Sequence, residues 1–320
     1  TMAATPGPLA EALKKDFPEI THAVTIINGE CLMVTGDKTF KEEGLYATPD
    51  FFRMLSFEFI AGDANTVLNQ PYSVVITETL AQKYFGTNNA VGKLFKVDNK
   101  DTYQVSGVIK DVPQNSSAQF TFIMPVEGLT KQPGNEWLTS WQSNGPRTFV
   151  MLRPDAAKAA VDAKIEKYIA KYNPDTHIDL FLQPMADMYL YGEFKTGRKA
   201  SGRIEYVRLF SVVAVFILII ACINFMNLST ARSAKRAKEV GVRKVIGAIR
   251  SVLVGQFFGE SVLISFLAII ISVILTLLCL PTFNELTGKF IQLDLLDPFF
   301  IGSLLAIALV TGVVAGSYPA

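Results

Sequence analysis

Residues 232–250 read RSAKRAKEVGVRKVIGAIR, and what flanks this stretch decides what kind of protein the chain is. It holds seven cations, Arg232, Lys235, Arg236, Lys238, Arg243, Lys244 and Arg250, against the single acid Glu239. Residues 209–231 before it contain no charged side chain, and neither do residues 261–284 after it. At about 1.5 Å per residue, each run wound as a helix reaches roughly 30 Å, the thickness of a bilayer's hydrocarbon core. A short basic loop between two such spans orients a membrane protein with that loop in the cytoplasm. The rest of the chain is then expected on the other side.

Within the stretch, Val240, Val242, Val245, Ile246, Ile249, Val252 and Leu253 recur near a 3.6-residue period, while Arg236, Arg243 and Arg250 lie a heptad apart on another face. Glu239 stands four residues before Arg243, a spacing at which a helix brings opposite charges together. The pattern is that of an amphipathic helix. Its aqueous face suits either a docked protein or the anionic head groups of a lipid surface, and the pattern alone fits both.

Composition agrees with a membrane chain. Hydrophobic residues make up 50% of it and its mean hydropathy is +0.30, with the apolar excess concentrated after Leu209. The first two hundred residues have ordinary globular composition, enough for one large or two small domains. Seven cations less one acid make the basic stretch +6, which leaves the remainder at −5 against a total of +1. The only cationic patch is thus tied to a membrane loop, which gives no reason to expect a nucleic-acid partner. Of the three cysteines, Cys222 and Cys279 lie in the spans and Cys31 alone in the exported part, so no disulfide is expected within that part.

Before the first span, the periodicity predicts a helix over 8–17 and strands over 20–28, 73–77, 93–97, 103–112 and 120–125, with a helix over 78–85. A strand over 148–153, a helix over 155–172 and a strand over 177–184 read as a β-α-β unit, with Ala157, Val161, Ile165, Tyr168 and Ile169 along one helical face. Lys195, Arg198, Lys199 and Arg203 precede the first span on its outer side, a departure from the usual charge asymmetry, mixed with Glu193 and Glu205. After the second span, residues 282–298 form an acidic outer loop with Glu285, Asp294 and Asp297 against Lys289. The chain then runs uncharged from Phe299 to Ala320.

Catalytic chemistry is sparse. His22 and His177 are the only histidines, there is no Cys/His cluster at metal spacing, and Ser116–Ser117 has no neighbouring base. Residues 86–93, GTNNAVGK, imitate a phosphate-binding loop, but five residues separate the glycines instead of four, and Leu94 stands where Ser or Thr is needed. A structural turn is the reading. The spans carry no charge that could relay ions. Asn224, Asn227, Ser229 and Thr230, near the inner end of the first span, suit hydrogen bonds between helices.

The segment KRAKEVGVRKVIGA at 235–248, followed by QFFGESVL at 256–263, closely resembles the coupling region of FtsX/MacB-like ABC-transporter permeases. Arg236, Glu239, Val240, Gly241, Arg243, Lys244, Gly247, Ala248, Gln256 and Glu260 sit where the family pattern has them. Farther upstream, YATPDFF at 46–52, VVITETLAQKYFG at 74–86, AVGK at 90–93 and YQVSGVIKDVP at 103–113 resemble, in order and spacing, the MacB-type periplasmic core domain. The resemblance implies an α+β extracytoplasmic domain over 1–205: a split porter-like α/β subdomain (1–43 and 147–190) with an inserted β-rich subdomain (44–146). It implies an FtsX-like permease domain over 206–320, with spans at about 207–230, 258–281 and 299–320 and a cytoplasmic coupling helix at about 232–250. It also implies that a first span precedes this stretch of the family's chain.

The function implied is that of a permease or mechanotransmission subunit in a bacterial inner membrane, non-catalytic itself and without a cofactor. ATP and magnesium would sit on a separate ABC ATPase subunit, docked on Arg236, Glu239, Val240, Gly241, Arg243, Lys244 and Gly247. The other partners implied are a second permease unit in a dimer, membrane lipids, and a periplasmic partner or cargo. The work done would be export, efflux, lipoprotein release or cell-envelope control. The alternative is a membrane-anchored sensor or scaffold without transport, its basic loop bound to lipid.

Overall fold

The computed structural model describes residues 3–195, 198–245 and 250–317. They fall into two compact units, Thr1–Ser201 and Gly202–Ala320.

In the first unit, helix α1 (Leu9–Asp16) leads into β1 (Ile20–Thr35) and β2 (Lys38–Ala47), antiparallel partners from Ile26↔Ala47 to Thr35↔Lys38. Next come α2 (Phe51–Met54), β3 (Phe59–Ala61), β4 (Ser73–Thr77), α3 (Glu78–Phe85), β5 (Leu94–Val97), β6 (Asp101–Ile109), β7 (Phe122–Pro125) and α4 (Val126–Thr130). Six strands return on themselves in the order β1–β2–β7–β4–β6–β5–β1, and β3 attaches to β6. Closure in this way leaves few ladder groups open to pairing with other chains. Alternate strand residues feed two cores, as the two-residue period requires. Met33, Val74, Ile76, Phe95, Tyr103, Val105, Phe122 and Met124 pack with Leu80 and Tyr84 of α3. Leu45, Ala47, Val75 and Ile123 pack with Phe51 and Phe52 of α2.

A third core holds α1 against β8 (Arg147–Leu152) and α5 (Lys158–Ile165), through Leu9, Leu13, Ile20, Val161, Ile165 and Ile169. Strand β1 serves all three cores. Its residues Ile20–Ile26 pair with β8 and Ile26–Thr35 with β2. The strand therefore runs past the expected end at 28, because Gly29 does not interrupt the ladder. Gly29 lies opposite Gly44, and a Cβ on it would stand 2.4 Å from the Tyr46 ring. Gly44 likewise leaves room for the Phe122 ring, 2.6 Å from where its Cβ would be.

The expected strand at 177–184 is corrected. Those residues lie outside any ladder, because their amides bond to the helical segment: Leu180 N to Glu166 O at 2.9 Å and Leu182 N to Asp162 Oδ1 at 2.7 Å. Ile178, Leu180 and Leu182 still pack on the third core, which explains their alternating pattern. The helix expected over 155–172 is α5 followed by a short 3-10 turn at Tyr168–Lys171. A two-stranded ladder, β9 (Glu193–Lys195) with β10 (Arg198–Ser201), closes the unit.

The second unit is α6 (Arg203–Val245), α7 (Arg250–Thr287) and α8 (Pro298–Ser317). Helix α7 does not stop near Pro281 as expected. It continues to Thr287 and ends at Gly288, whose φ of +61° suits a left-handed cap. Proline forfeits one helical hydrogen bond without forcing termination, and the next residues restore the ladder. Asp297 accepts from Phe299 N at 3.0 Å and starts α8, with Pro298 at the first helical position. Small residues let α7 and α8 approach closely: a Cβ on Gly312 would stand 2.7 Å from Val262 Cα, and Ala308 and Ala315 are buried.

Candidate functional site

Arg203–Leu228 of α6 is apolar enough to cross a membrane, as are Val254–Thr287 of α7 and Pro298–Ser317 of α8. Helix α6, however, is 43 residues long, about 65 Å at 1.5 Å per residue. Residues 229–245 thus extend the span by about 25 Å as the same helix. Arg236, Glu239, Val240, Gly241, Arg243 and Lys244 all lie on the last ten residues of this extension. Gly247 lies outside the described residues. The stretch expected as a coupling helix at 232–250 is therefore, as far as Val245, the span's own continuation without a break. Alanine, lysine, arginine and glutamate dominate it, and all favour helix; Gly241 is its one poor helix former. Two apolar residues of the extension, Val242 and Val245, are 54% and 88% exposed. Beyond the basic stretch, Gln256 Nε2 of α7 donates to Glu260 Oε1 at 3.2 Å, one helical turn away.

Elsewhere the polar clusters hold the fold together. The imitation phosphate loop is a turn: Gly86 caps α3 with φ +67°, and Gly92 N donates to Val105 O at 2.8 Å. His22 lies on β1 with its Nδ1 3.3 Å from Asp50 Oδ2. Asp50 is buried and also binds Lys14 of α1 and, at 3.1 Å, Arg53 of α2, so it ties the third core to the α2 side of the second. Burial pushes its carboxyl upward, but the Lys14 hydrogen bond and charge, joined by His22, outweigh this and hold it below the usual carboxylate range. Glu42, also buried, receives Lys83 Nζ at 2.6 Å and Tyr84 OH at 3.0 Å. Asp50 was not singled out by sequence reading; an acid just before Phe51–Phe52 at a helix start was the available signal. Among the described residues no group of His, Cys, Asp and Glu is placed to hold a metal ion.

Comparison with known proteins bears on both units. The family of MacB-like periplasmic core domains matches residues 1–168, and that of the FtsX-like permease C-terminal region matches residues 211–320. The macrolide export ATP-binding/permease protein MacB of Agrobacterium fabrum is 28% identical over 278 residues, covering 85% of this chain and 40% of that protein. Its counterpart from Burkholderia lata is 26% identical over 230 residues, covering 68% and 30%. The chain thus spans well under half the length of these relatives. Among solved structures, a domain of a permease-type protein from Porphyromonas gingivalis is similar, at 25% identity with a TM-score of 0.48, over 58% of this chain and 90% of that one.

Proposed function

This chain belongs to the family that joins a MacB-like periplasmic core domain to an FtsX-like permease region, and from that premise we propose that it couples ATP hydrolysis to movement of its periplasmic domain. It is an inner-membrane, multi-pass protein with that domain in the periplasm. In the proposed mechanism an ABC ATPase binds ATP and magnesium and docks on the inner end of α6. The permease itself carries no catalytic group or cofactor. Closure of the ATPase displaces Arg236, Glu239, Val240, Gly241, Arg243 and Lys244 with Gly247, and the paired spans carry the displacement outward. A second permease unit completes the membrane part. The face of α7 on which Ser272, Thr276 and Cys279 interrupt apolar residues would pack against such a unit. The work at the outer end is efflux, lipoprotein release or envelope control.

One observation carries the reading: the helix that crosses the membrane continues unbroken into the basic stretch and leaves Val242 and Val245 exposed there. A continuous helix transmits axial and rotational displacement, and exposed valines on a charged helix suit an apolar groove in a protein partner. Gly241→Leu tests this, because it keeps the charge and raises helix propensity but adds bulk. The variant should insert in the membrane, yet lose the co-purifying ATPase and coupled turnover. If it is silent while neutralising Lys235 and Lys238 abolishes function, the segment reads lipid and the docking proposal fails.

A further inference from the structure

Asn224 and Asn227 lie in the span Arg203–Leu228 of α6, and both are exposed. Counted from Ala231, where the uncharged run ends, the Asn224 amide is about 10 Å deep in the hydrocarbon. Hydroxyls of the spans satisfy themselves on their own helix: Ser211 Oγ donates to Val207 O at 2.7 Å and Thr276 Oγ1 to Ser272 O at 2.8 Å. The two asparagine amides have no hydrogen-bond partner among the described residues. Without water at that depth, an amide costs free energy until something supplies the partner.

The packing of α6 within this chain does not supply it. Cys222 is buried and Phe225 and Met226 are half-buried, which marks the face turned into the protein. At about 100° per residue, the midpoint between Asn224 and Asn227 lies about 180° from that face. Val213, Ile217 and Ile220 share the far side with them, as does Ala231, and all four are exposed. Along this stripe the spacing alternates between four residues and three, the heptad period of a seam between supercoiled helices. Two copies of one chain insert with the same orientation, so their α6 helices run parallel and each position meets its counterpart at the same depth. An asparagine amide carries both donor and acceptor and is therefore complementary to itself across a two-fold axis.

We propose that α6 is the seam of a two-fold dimer of this chain, packed along Val213, Ile217 and Ile220 and held in register by reciprocal hydrogen bonds of Asn224 and Asn227 with their counterparts in the second copy. This rests on the second permease unit and assigns that unit its axis. A single polar position in an apolar seam fixes register and partner number, which suits a helix that must keep its phase.

The test uses the full chain with Cys31, Cys222 and Cys279 replaced by serine, reconstituted in phosphatidylcholine bilayers. Single cysteines are placed on the seam (Val213→Cys, Ile220→Cys), on the opposite face of α6 (Leu218→Cys) and on α7 (Leu275→Cys), then oxidised. A disulfide between copies needs Cα atoms within about 7 Å, so only positions on the axis link to their counterparts. The two seam cysteines should give covalent dimers and the other two should not. The fraction linked through Ile220→Cys is then followed on dilution with lipid, with and without Asn224→Leu and Asn227→Leu together. Leucine favours both helix and bilayer, so the double variant removes only the amides. Self-association should weaken roughly ten- to three-hundredfold, and Asn224→Gln with Asn227→Gln, which keep an amide, should recover part of it. Undiminished association of the leucine variant overturns the seam. So does linkage through Leu275→Cys without linkage through Val213→Cys or Ile220→Cys, which leaves a second unit in place on another face. A chain that links at no position removes the second unit itself, and the seam with it.

Discussion

Alanines inserted between Leu228 and Ser229 test whether α6 acts as one phased lever. Alanine is the strongest helix former, so the insertion lengthens the helix without breaking it. Each residue advances the inner end by about 1.5 Å and turns it by about 100°. One alanine therefore turns the docking face by about 100° and two by about 200°, whereas four return it to within about 40° of its starting direction. Val242 and Val245 are 54% and 88% exposed, and burying both against a partner contributes about 2–3 kcal/mol at ~25 cal/mol per Å². Turning them out of the groove should then weaken ATPase binding roughly 30- to 150-fold, at about 1.4 kcal/mol per tenfold. The assay is titration of the ATPase into proteoliposomes, with coupled ATP turnover read in the same samples. One and two alanines should abolish coupling, and four should restore a substantial part of it. If the loss instead grows steadily with length regardless of phase, or no insertion matters, residues 229–245 are a tether or a lipid-bound patch and the lever argument is wrong.

Three further outcomes follow from the periplasmic unit. Asp50→Asn should lower stability by about 1–2 kcal/mol at neutral pH, a figure kept small because Lys14 and Arg53 remain partly exposed to water. A carboxyl held low in the fold adds stability above its unfolded pKa, near 3.9, and loses it as pH falls through the folded value. The deficit of the variant should therefore shrink in acid, and equal deficits in thermal unfolding at neutral pH and in strong acid would refute the clamp. Gly44→Ala should cost about 1–3 kcal/mol, since its Cβ would stand 2.6 Å from the buried Phe122 ring; an unchanged midpoint of thermal unfolding would refute that close contact. Burial pushes the Cys31 thiol up to about 12 and leaves it 2% exposed, so a maleimide should label it only after denaturation; prompt labelling of folded protein would show that the strand opens.

Legibility followed the physics of each element. The spans were readable because a bilayer demands an uncharged run of fixed length, and 209–231 and 261–284 satisfy it. Strand β4 and helix α3 were readable to the residue because Ser73–Thr77 is a bounded apolar run and Thr77 and Gly86 are caps that act locally. Strand β2 escaped notice because its first half, with Lys38 and Lys41, is exposed, and its place is fixed by β1 and β7 from elsewhere in the chain. Residues 177–184 were misread because alternation signals a half-buried extended segment, not the identity of its hydrogen-bond partners. The closed ring and the Asp50 clamp depend on partners far away in sequence. Continuity of α6 past Leu228 was hidden by the habit of ending a span where its charges begin; a helix needs only helix-favouring residues, and residues 229–245 supply them.

That continuity bears on how much of a displacement at the inner end could survive to the outer one. A helix resists compression and bending far better than a loop, so slack enters only at joints. Within the first span's helix the described residues show no joint from Arg203 to Val245. At the outer end the chain passes from α6 to β10 through Gly202 alone. One residue permits reorientation but supplies almost no length in which a push can be lost. A flexible linker would instead absorb several ångströms before any load reached the periplasmic unit. Lengthening that joint with glycine and serine should thus uncouple the protein while leaving ATPase binding intact. Rotating the inner face by one alanine should do the reverse and remove binding first. The two lesions separate transmission from docking, and a chain that merely held its periplasmic domain near the membrane would respond to neither.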